Sequence, residues 1–413
     1  MKIDLPSSVK YIIKTLNHNG YEAYVVGGCV RDSILHKIPK DWDITTNALP
    51  DSVKSIFKDK KIIDTGIKHG TVTIILEDSS YEITTFRLDG EYRDNRHPHE
   101  VHFVNDLIED LSRRDFTINA MAYNDKLGLI DPFNGQDDIS NKLIRCVGVP
   151  DDRFTEDALR ILRAVRFSTQ LGFKIELAET LPALLKNAYL LKNISVERIR
   201  DELIKTLNYG YSSLLKFCLK NTNVLDFDYN EDILLNNTFT NDYLEKLSLI
   251  IINNTENIDF NTDTDKAKQW LKNLKLSNSE IDKILKLIKA YKYVENNINT
   301  NCIKYDKEKF EKIISRHIYK ICEDGYYNVM NMFKYVDTNI YLFLKNNANE
   351  KYWCHNLSML NINGNDIKDI GFVDKDISKV LDILLEEVIC ENTKNNIKDL
   401  KCSAYKIKLA AYE

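Results

Sequence analysis

The sequence lacks the motifs that identify several common classes of protein. Its eight cysteines form no Cys-x-x-Cys pair and show no histidine spacing typical of zinc sites, so we predict reduced thiols. The first residues, MKIDLPSSVKYIIKTL, interrupt their apolar pattern with polar residues, which argues against a signal peptide or a membrane span there. We therefore expect no membrane partner, and the cytoplasm as the default compartment.

An excess of positive charge is also absent. The formal net charge is -5, so composition does not indicate a nucleic-acid-binding protein, although local patches rather than net charge decide such binding. No protein partner can be inferred. At 413 residues the chain is too long for one core, and it shows no repeat of fixed period. We expect two to four domains.

The apolar pattern divides the chain into two parts. An amphipathic helix precedes the strand YEAYVV, and TVTIIL and YEITTF alternate like a hairpin joined by EDSS. After about residue 145 the strand signals disappear, and apolar residues recur at spacings of three and four. We therefore predict an α+β fold, in which a first third of mixed α and β structure is followed by helices.

The stretch PKDWDITT places Asp41 and Asp43 two positions apart. In an extended strand their side chains share one face, while Trp42 and Ile44 face the core. Two neighbouring carboxylates repel each other unless a cation lies between them, and Mg²⁺ prefers oxygen ligands. The pair predicts a metal site; a solvated turn with two surface acids is the alternative.

A paired glycine lies shortly before these aspartates, in VVGGCVRD. Gly28 lets the backbone approach a ligand closely, and Arg31 offers a planar guanidinium suited to phosphate oxygens. Together with the two carboxylates, these residues predict a site for a nucleoside triphosphate and its metal.

The stretch SRRDFTINAMAYN contains two arginines beside an aspartate. It predicts the start of a helix, with Ser112 as the cap and Asp115 in the first turn, flanked by Arg113 and Arg114. A capped surface helix with two solvated arginines explains the same residues.

Charged residues recur every three positions in EDALRILRAVRF, at Asp157, Arg160, Arg163 and Arg166. On a helix, neighbouring members of this series meet along one face. Three arginines with one acid leave positive charge uncompensated, which suggests a nucleotide or RNA partner. The alternative is a helix stabilised by an Asp157–Arg160 pair.

Six motifs, VVGGCVRD, KDWDITT, SRRDFTINAMA, DPFNGQDDI, EDALRILRAVRF and ISVERIRDEL, resemble in order those of class II tRNA nucleotidyltransferases, in particular the bacterial CCA-adding type. They span roughly residues 20 to 205, and LNINGNDIKDIGF shows a weaker likeness near the carboxyl end. The resemblance implies a polymerase-β-like catalytic head with a mixed sheet (1–145), an all-α neck that recognises the base (146–207), a helical body (208–330) and a helical tail that binds tRNA (331–413).

The implied reaction is template-independent addition of C, C and A to the 3′ end of tRNA from CTP and ATP, with Mg²⁺ as cofactor and the acceptor arm of tRNA as partner. By the same resemblance, Asp41 and Asp43 would bind the metal, and Glu82 would supply a third carboxylate. Gly28 and Arg31 would bind the triphosphate, and Arg114 and Asp115 would contact the ribose. Asp157 and Arg160 would read the base, and Arg163 and Arg166 would support the base-reading helix. The segment ISVERIRDEL would pack against that helix.

Three alternatives remain. A bacterial poly(A) polymerase shares the head, but its relatives carry Gly-Arg-Arg-Phe where this chain has DTGIKHGTVTI. An enzyme that adds only CC would lack the flexible loop that GEYRDNRHPHEVHF retains, whereas an A-only enzyme stays open. From another class, a noncatalytic RNA-binding protein on a decayed head is disfavoured because Asp41 and Asp43 are present.

Overall fold

The computed structural model describes residues 2–410 except 65, 78, 91–100, 211, 223–241, 254–263, 302–306, 323–324, 335 and 349–353. The chain forms two compact units, Met1–Asp226 and Phe227–Glu413. Within the described part of the chain, no helix is both long and apolar enough to cross a membrane. The finer division into head, neck, body and tail stays a prediction.

The first unit contains helices and short strands. Its helices are α1 (Ser7–His18), α2 (Gly28–Ile34), α3 (Pro50–Ile56), α4 (Leu107–Ser112), α5 (Gly135–Ser140), α6 (Pro150–Glu156), α7 (Leu159–Leu171), α8 (Thr180–Asn187), α9 (Val196–Leu207) and α10 (Ser213–Lys220). Its strands are β1 (Ala23–Val26), β2 (Ile44–Thr46), β3 (Lys61–Ile63), β4 (Thr71–Leu76), β5 (Ser79–Thr85), β6 (Arg87–Asp89), β7 (Val101–Phe103), β8 (Ala122–Asn124), β9 (Gly128–Ile130), β10 (Leu143–Ile144) and β11 (Lys174–Ile175).

Seven of these strands form one sheet in the order β3-β4-β5-β2-β1-β8-β9. Strands β2 and β5 are parallel and the other neighbours are antiparallel, which confirms the predicted mixed sheet. The hairpin β4–β5 is also confirmed, with pairs from Thr71↔Thr84 to Leu76↔Ser79. Strand β5 alternates: Tyr81 and Ile83 are buried, whereas Glu82 between them is exposed.

Helices follow the sheet and pack in pairs, α6 against α8 and α7 against α9. Helix α9 contains ISVERIRDEL from the third residue of that motif onward, so the predicted packing of this segment against α7 is confirmed. The expectation of no strand after residue 145 is wrong for Lys174–Ile175, which pairs in parallel with Leu143–Ile144. A two-residue strand is too short to leave an alternating pattern in the sequence.

The described residues of the second unit are helical, as predicted. The helices are Tyr243–Asn253, Thr264–Asn273, Asn278–Asn301, Lys307–Ile321, Tyr326–Phe333, Thr338–Asn346, Gly364–Asp369, Asp374–Ile389 and Ile397–Ala410. The last three share a core that includes Ile367, Leu384 and Leu400. Asn363 and Asp366 form a reciprocal capping box at the start of Gly364–Asp369.

Candidate active site

Asp41 and Asp43 lie directly before β2 rather than within it, because the strand begins at Ile44. The predicted strand over both aspartates is therefore wrong, although the carbonyl of Asp43 still accepts a hydrogen bond of 3.0 Å from the Val26 amide and so prolongs the β1–β2 pairing. Both aspartates are exposed, Trp42 is half-buried and Ile44 is buried. The two aspartates thus stand just before the first residue of the strand.

The parallel register of β2 and β5 brings Glu82 beside this pair. Ile44 pairs with Ile83, so the preceding residues, Asp43 and Glu82, are neighbours on the same face of the sheet. The pKa of Asp43 is raised, first because surrounding protein atoms limit the hydration of its carboxylate, and further by the charges of Glu82 and Asp41. Arg114 acts in the opposite direction.

The charges of Glu82 and Asp41 add to the burial that raises the pKa of Asp43, and a cation held by these oxygen ligands would offset that repulsion. The donor set therefore fits a hard metal ion.

The paired glycines form a sharp turn from β1 into α2. Gly27 has φ +80° and ψ -127°, a conformation that residues with a side chain rarely adopt. A Cβ atom at Gly27 would lie 3.2 Å from Nη1 of Arg114, so the turn also leaves room for that guanidinium. A larger residue here would displace the arginine that lies near Asp43.

A cavity of about 410 Å³ opens beside this turn and is lined by Gly28, Asp41 and Asp43 among others. Lys37 and Lys40 also line it, and the sequence analysis missed both. Their position between the glycine turn and the aspartates is visible in HKIPKDWD, but lysines in a short connection are too common to single out. The cavity thus brings cationic groups and the two aspartates together.

Arg31 lines the same cavity, but its guanidinium is buried and bonded to protein. Its Nε and Nη2 donate to Oδ1 of Asp32 at 2.9 and 2.8 Å, and its Nη1 donates to Oδ1 of Asn119 at 2.6 Å. These bonds hold α2 to the Thr117–Asn119 turn. Asn119 is a residue whose importance the sequence did not reveal.

The prediction that Ser112 caps a helix containing Asp115 is wrong. Ser112 is the last residue of α4, and the cap of that helix is Asp106, whose carboxylate accepts a 2.8 Å bond from the Ile108 amide. An aspartate in an extended conformation competes well for the cap position, and Ser112 instead bonds to the carbonyl of Glu109.

Asp110, which the sequence analysis also missed, holds the two arginines that follow α4. Its fully buried carboxylate accepts bonds from Arg113 at 2.7 Å and from Arg114 at 3.3 Å. Burial raises the pKa of Asp110, but the two guanidinium groups lower it by more, so the net shift is downward. The predicted alternative of two solvated arginines is therefore wrong.

Asp115 connects this segment to α7. Arg163 donates to its Oδ2 from Nε at 2.8 Å and from Nη2 at 2.5 Å, and Asn119 donates to its Oδ1 at 3.2 Å. Burial alone would raise the pKa of Asp115, but the charge and hydrogen bonds of Arg163 outweigh it and lower the pKa to about 2. Asp115 is thus an ionised, buried anchor.

The predicted excess of positive charge on α7 is wrong, because each of its arginines has an acidic partner. Arg160 pairs with Glu156 at 2.6 Å, Arg163 with Asp115, and Arg166 with Glu202 of α9 at 2.6 Å. Asp115 and Glu202 come from distant parts of the chain, so spacing within EDALRILRAVRF could not reveal them, whereas Glu156 is the first residue of that motif and was overlooked.

Phe167 organises three guanidinium groups around one aromatic ring. The Cζ atoms of Arg31, Arg163 and Arg166 lie 5.2, 5.4 and 4.0 Å from its centroid. Phe116 contacts the same ring edge-on, with the centroids 5.8 Å apart. This packing links the glycine turn to α7.

Asp157 is not on the helix face predicted for it, because it lies in extended conformation between α6 and α7. Its Oδ1 accepts from the Leu159 amide at 3.1 Å, and its Oδ2 accepts from Nη2 of Arg198 at 2.9 Å. Its salt-bridge partner is thus Arg198 on α9. The predicted alternative, a pair between Asp157 and Arg160 along one helix, does not hold the Asp157 side chain in place. Arg198 was missed, since only folding brings α9 here.

Arg160 is buried between α6 and the residues that follow α4. Its Nη1 donates to Oε2 of Glu156 at 2.6 Å and to the Arg153 carbonyl at 3.1 Å, and its Nη2 donates to the Arg113 carbonyl at 2.9 Å.

The predicted loop RDNRHPH lies outside the described residues, between the paired strands β6 and β7.

A mixed sheet that carries clustered carboxylates beside a glycine turn, followed by helices, defines a nucleotidyltransferase of the polymerase-β-like class. Residues 23–145 match the poly(A) polymerase head domain, residues 172–227 a probable RNA- and SrmB-binding site of polymerase A, and residues 257–402 a tRNA nucleotidyltransferase domain 2.

The chain is 42% identical to a CCA-adding enzyme of Oceanobacillus iheyensis over 301 residues, which are 71% of this chain and 73% of the relative. With a CCA-adding enzyme of Geobacillus thermodenitrificans it shares 55% identity over 196 residues, 48% of each chain. The crystal structure of the Bacillus stearothermophilus CCA-adding enzyme in complex with CTP is 27% identical, with a TM-score of 0.74 over 98% of this chain and 97% of that one. The chain belongs to the family of CCA-adding enzymes.

Proposed function

We propose that the protein adds C, C and A to the 3′ end of tRNA, using CTP and ATP and no nucleic-acid template. The observation that carries the proposal is the register of β2 and β5, which brings Glu82 beside Asp43 and the nearby Asp41. The relatives named CCA-adding enzymes, one of them solved with CTP, support the choice of substrates.

Asp41 and Asp43 would hold the divalent metal, with Glu82 as the third carboxylate and Mg²⁺ as the ion. A bound Mg²⁺ would lower the pKa of the attacking hydroxyl and neutralise charge on the α-phosphate. The protein itself places Arg114 near Asp43, where its guanidinium favours the ionised carboxylate that a metal ligand must present.

The triphosphate would lie in the cavity lined by Gly28. There the backbone can approach phosphate oxygens, and Lys37 and Lys40 supply positive charge. Arg31, bonded to Asp32 and Asn119, contributes charge at the cavity wall and fixes the turn.

The ribose would contact Arg114, which is the more accessible member of the Arg114–Asp115 pair. Asp115 is buried and bonded to Arg163 and Asn119, so we assign it the positioning of α7 rather than a direct contact. Arg166, paired with Glu202, fixes the same helix against α9.

Base selection would rest on Asp157 and Arg160. The carboxylate of Asp157, hydrogen-bonded to Arg198, would accept from the amino group of cytosine or adenine and repel the carbonyl oxygens of uracil and guanine. For Arg160, the bonds described above use both hydrogens of Nη1 and one of Nη2. Its contact with the base would exchange one of these bonds.

The remaining parts of the account concern tRNA. Residues 146–207 would form the base-reading neck, 208–330 the body and 331–413 the tail, which would hold the acceptor arm by phosphate contacts. The cytoplasm is where we expect the reaction to occur.

One assay separates the alternatives. The purified protein is incubated with tRNA that lacks its 3′ CCA, with CTP alone, ATP alone and both, and the added nucleotides are sequenced. CCA addition predicts CC with CTP alone and CCA with both. An A-only enzyme would add nothing to this tRNA with CTP but one A to tRNA ending in CC. A poly(A) polymerase would add a run of A, and a noncatalytic RNA-binding protein would add nothing.

A further inference from the structure

A group of side chains able to ligate a metal ion lies in the second unit. Among the described residues, one ligand atom each from His317, Glu386 and Cys390 lies within 4.8 Å of the other two. His317 belongs to the helix Lys307–Ile321, whereas Glu386 lies near the end of Asp374–Ile389 and Cys390 directly follows it. Residues four apart on a helix share a face, so Glu386 and Cys390 project together.

The imidazole of His317 is oriented as it is in metal sites. Its Nδ1 lies 2.8 Å from the carbonyl oxygen of Ile313, to which a protonated Nδ1 donates, and its Nε2 faces Oε1 of Glu386. A histidine that ligates a metal through one nitrogen usually donates its other N–H in this way. The ring also stacks on Tyr293, with centroids 4.8 Å apart, so its direction is fixed on two sides.

The carboxylate of Glu386 is oriented by a second partner. Lys320 donates to its Oε2 at 2.7 Å, which leaves Oε1 directed at His317. A dication bound by one thiolate and one carboxylate would be electrically neutral at the site, and Lys320 would remain as the outer partner of the carboxylate.

The spacing of the three groups suits a small dication after a minor adjustment. Two ligands at tetrahedral angles and zinc bond lengths lie about 3.3 to 3.8 Å apart. The 4.8 Å limit therefore requires movements of about 1 Å or less, which half-buried side chains such as Glu386 and Cys390 can make. Imidazole, thiolate and carboxylate together favour Zn²⁺ over Mg²⁺ or Ca²⁺.

We propose that His317 Nε2, Glu386 Oε1 and Cys390 Sγ bind one Zn²⁺ ion, with water as the fourth ligand. Binding would release the thiol proton of Cys390 and any proton shared by His317 and Glu386. The ion would link the helices Lys307–Ile321 and Asp374–Ile389. Because His317 and Glu386 are 69 residues apart, no short spacing in the sequence indicates the site.

Cobalt substitution tests this site separately from the carboxylates of the first unit. Co²⁺ bound to a thiolate gives a charge-transfer absorption in the near ultraviolet, whereas Co²⁺ bound only to oxygen ligands does not. Titration of the metal-free full chain with Co²⁺ should produce this absorption with one equivalent, and added Zn²⁺ should remove it. Cys390→Ser and His317→Gln should abolish the absorption, while the control variants Cys402→Ser and Asp43→Ala should retain it.

The proposal is overturned if the wild-type chain shows no such absorption, or if the absorption survives in Cys390→Ser. A second readout does not depend on cobalt. Zn²⁺ should raise the midpoint of thermal unfolding in the wild type and in Cys402→Ser but not in Cys390→Ser. An equal rise in wild type and Cys390→Ser would show that Zn²⁺ binds elsewhere.

Discussion

The guanidinium of Arg163 binds the buried carboxylate of Asp115 through two nitrogens, at 2.8 and 2.5 Å. This pair joins α7 to the segment that follows α4, next to Asn119, which in turn holds Arg31. The arrangement makes the ionisation of Asp115 a condition for the geometry of the site.

We expect the Asp115–Arg163 pair to make stability depend on pH. The pKa of Asp115 falls from the model-peptide value of 3.8 to about 2 in the folded chain, so its contribution is present above pH 4 and is lost as the pH falls through about 2. The shift corresponds to about 2 kcal/mol. Arg163→Met should therefore lower the free energy of unfolding above pH 4, and the difference from wild type should shrink toward pH 2.

Chemical denaturation at several pH values measures this effect. Lys205→Met, which removes a more exposed partner of Glu202, is the control and should show little dependence on pH. A difference between Arg163→Met and wild type that stays constant from pH 7 to pH 2 would contradict the role of Asp115.

Glu82→Gln tests the third carboxylate while preserving its shape. If Glu82 contributes to the metal site, the Mg²⁺ concentration needed for half-maximal CMP transfer should rise about tenfold or more. Excess Mg²⁺ should restore part of the rate. Glu77→Gln is the control. If Glu82→Gln leaves the Mg²⁺ dependence unchanged, Glu82 does not contribute to the metal site.

Asp157→Ala tests base selection. A mispaired, desolvated carboxylate costs about 1 to 3 kcal/mol, so loss of Asp157 should relax the rejection of UTP and GTP by roughly tenfold or more while it slows the use of CTP and ATP. The measurement is kcat/KM for all four nucleotides. Equal proportional losses for all four would show a purely structural residue.

Arg198→Ala extends the same test to the residue that holds Asp157. We expect a smaller loss of discrimination, because the carboxylate remains but loses its salt bridge. Arg200→Ala, two positions away and paired with the neighbouring Asp201, is the matched control and should discriminate like the wild type. Identical selectivity in Arg198→Ala and Arg200→Ala would contradict the positioning role.

Excision of part of the loop RDNRHPH should spare CMP addition and stop AMP addition. The expectation rests on the family resemblance, in which such a loop reshapes the nucleotide pocket between substrates. Sequencing of the products formed with CTP and ATP together would reveal it as tRNA ending in CC. If AMP addition is undiminished after the excision, the presence of the loop gives no support for full CCA addition.

The sequence predicted the β4–β5 hairpin and the helical remainder because each leaves a local apolar pattern, whereas the mixed sheet was expected from the family resemblance. It indicated Asp41, Asp43 and Glu82 as candidates. The proximity of Glu82 to Asp43, however, depends on the parallel register of two strands that lie almost forty residues apart in the sequence. Local spacing could not foresee the long-range partners of Arg163 and Arg166, which are Asp115 and Glu202. The same limit concealed the pairing of Asp157 with Arg198.

The cap at Ser112 was predicted wrongly because two acceptors, Asp106 and Ser112, stand at opposite ends of one short helix. Both residue types favour the cap position, and only the surrounding contacts decide between them. Asp110 was missed for a similar reason. Only the folded structure shows that its side chain is buried, unlike those of the many surface aspartates.

The central claim is that the carboxylates at the start of β2 carry out metal-dependent nucleotidyl transfer, and Asp43→Ala tests it most directly. The measurement is the single-turnover rate of CMP transfer from CTP to tRNA lacking CCA, at saturating Mg²⁺, alongside circular dichroism to verify folding. Asp59→Ala, an exposed aspartate paired with Lys60, is the control. We predict a folded Asp43→Ala variant whose rate falls by about a thousandfold or more. A folded variant that transfers CMP at nearly the wild-type rate would contradict the account.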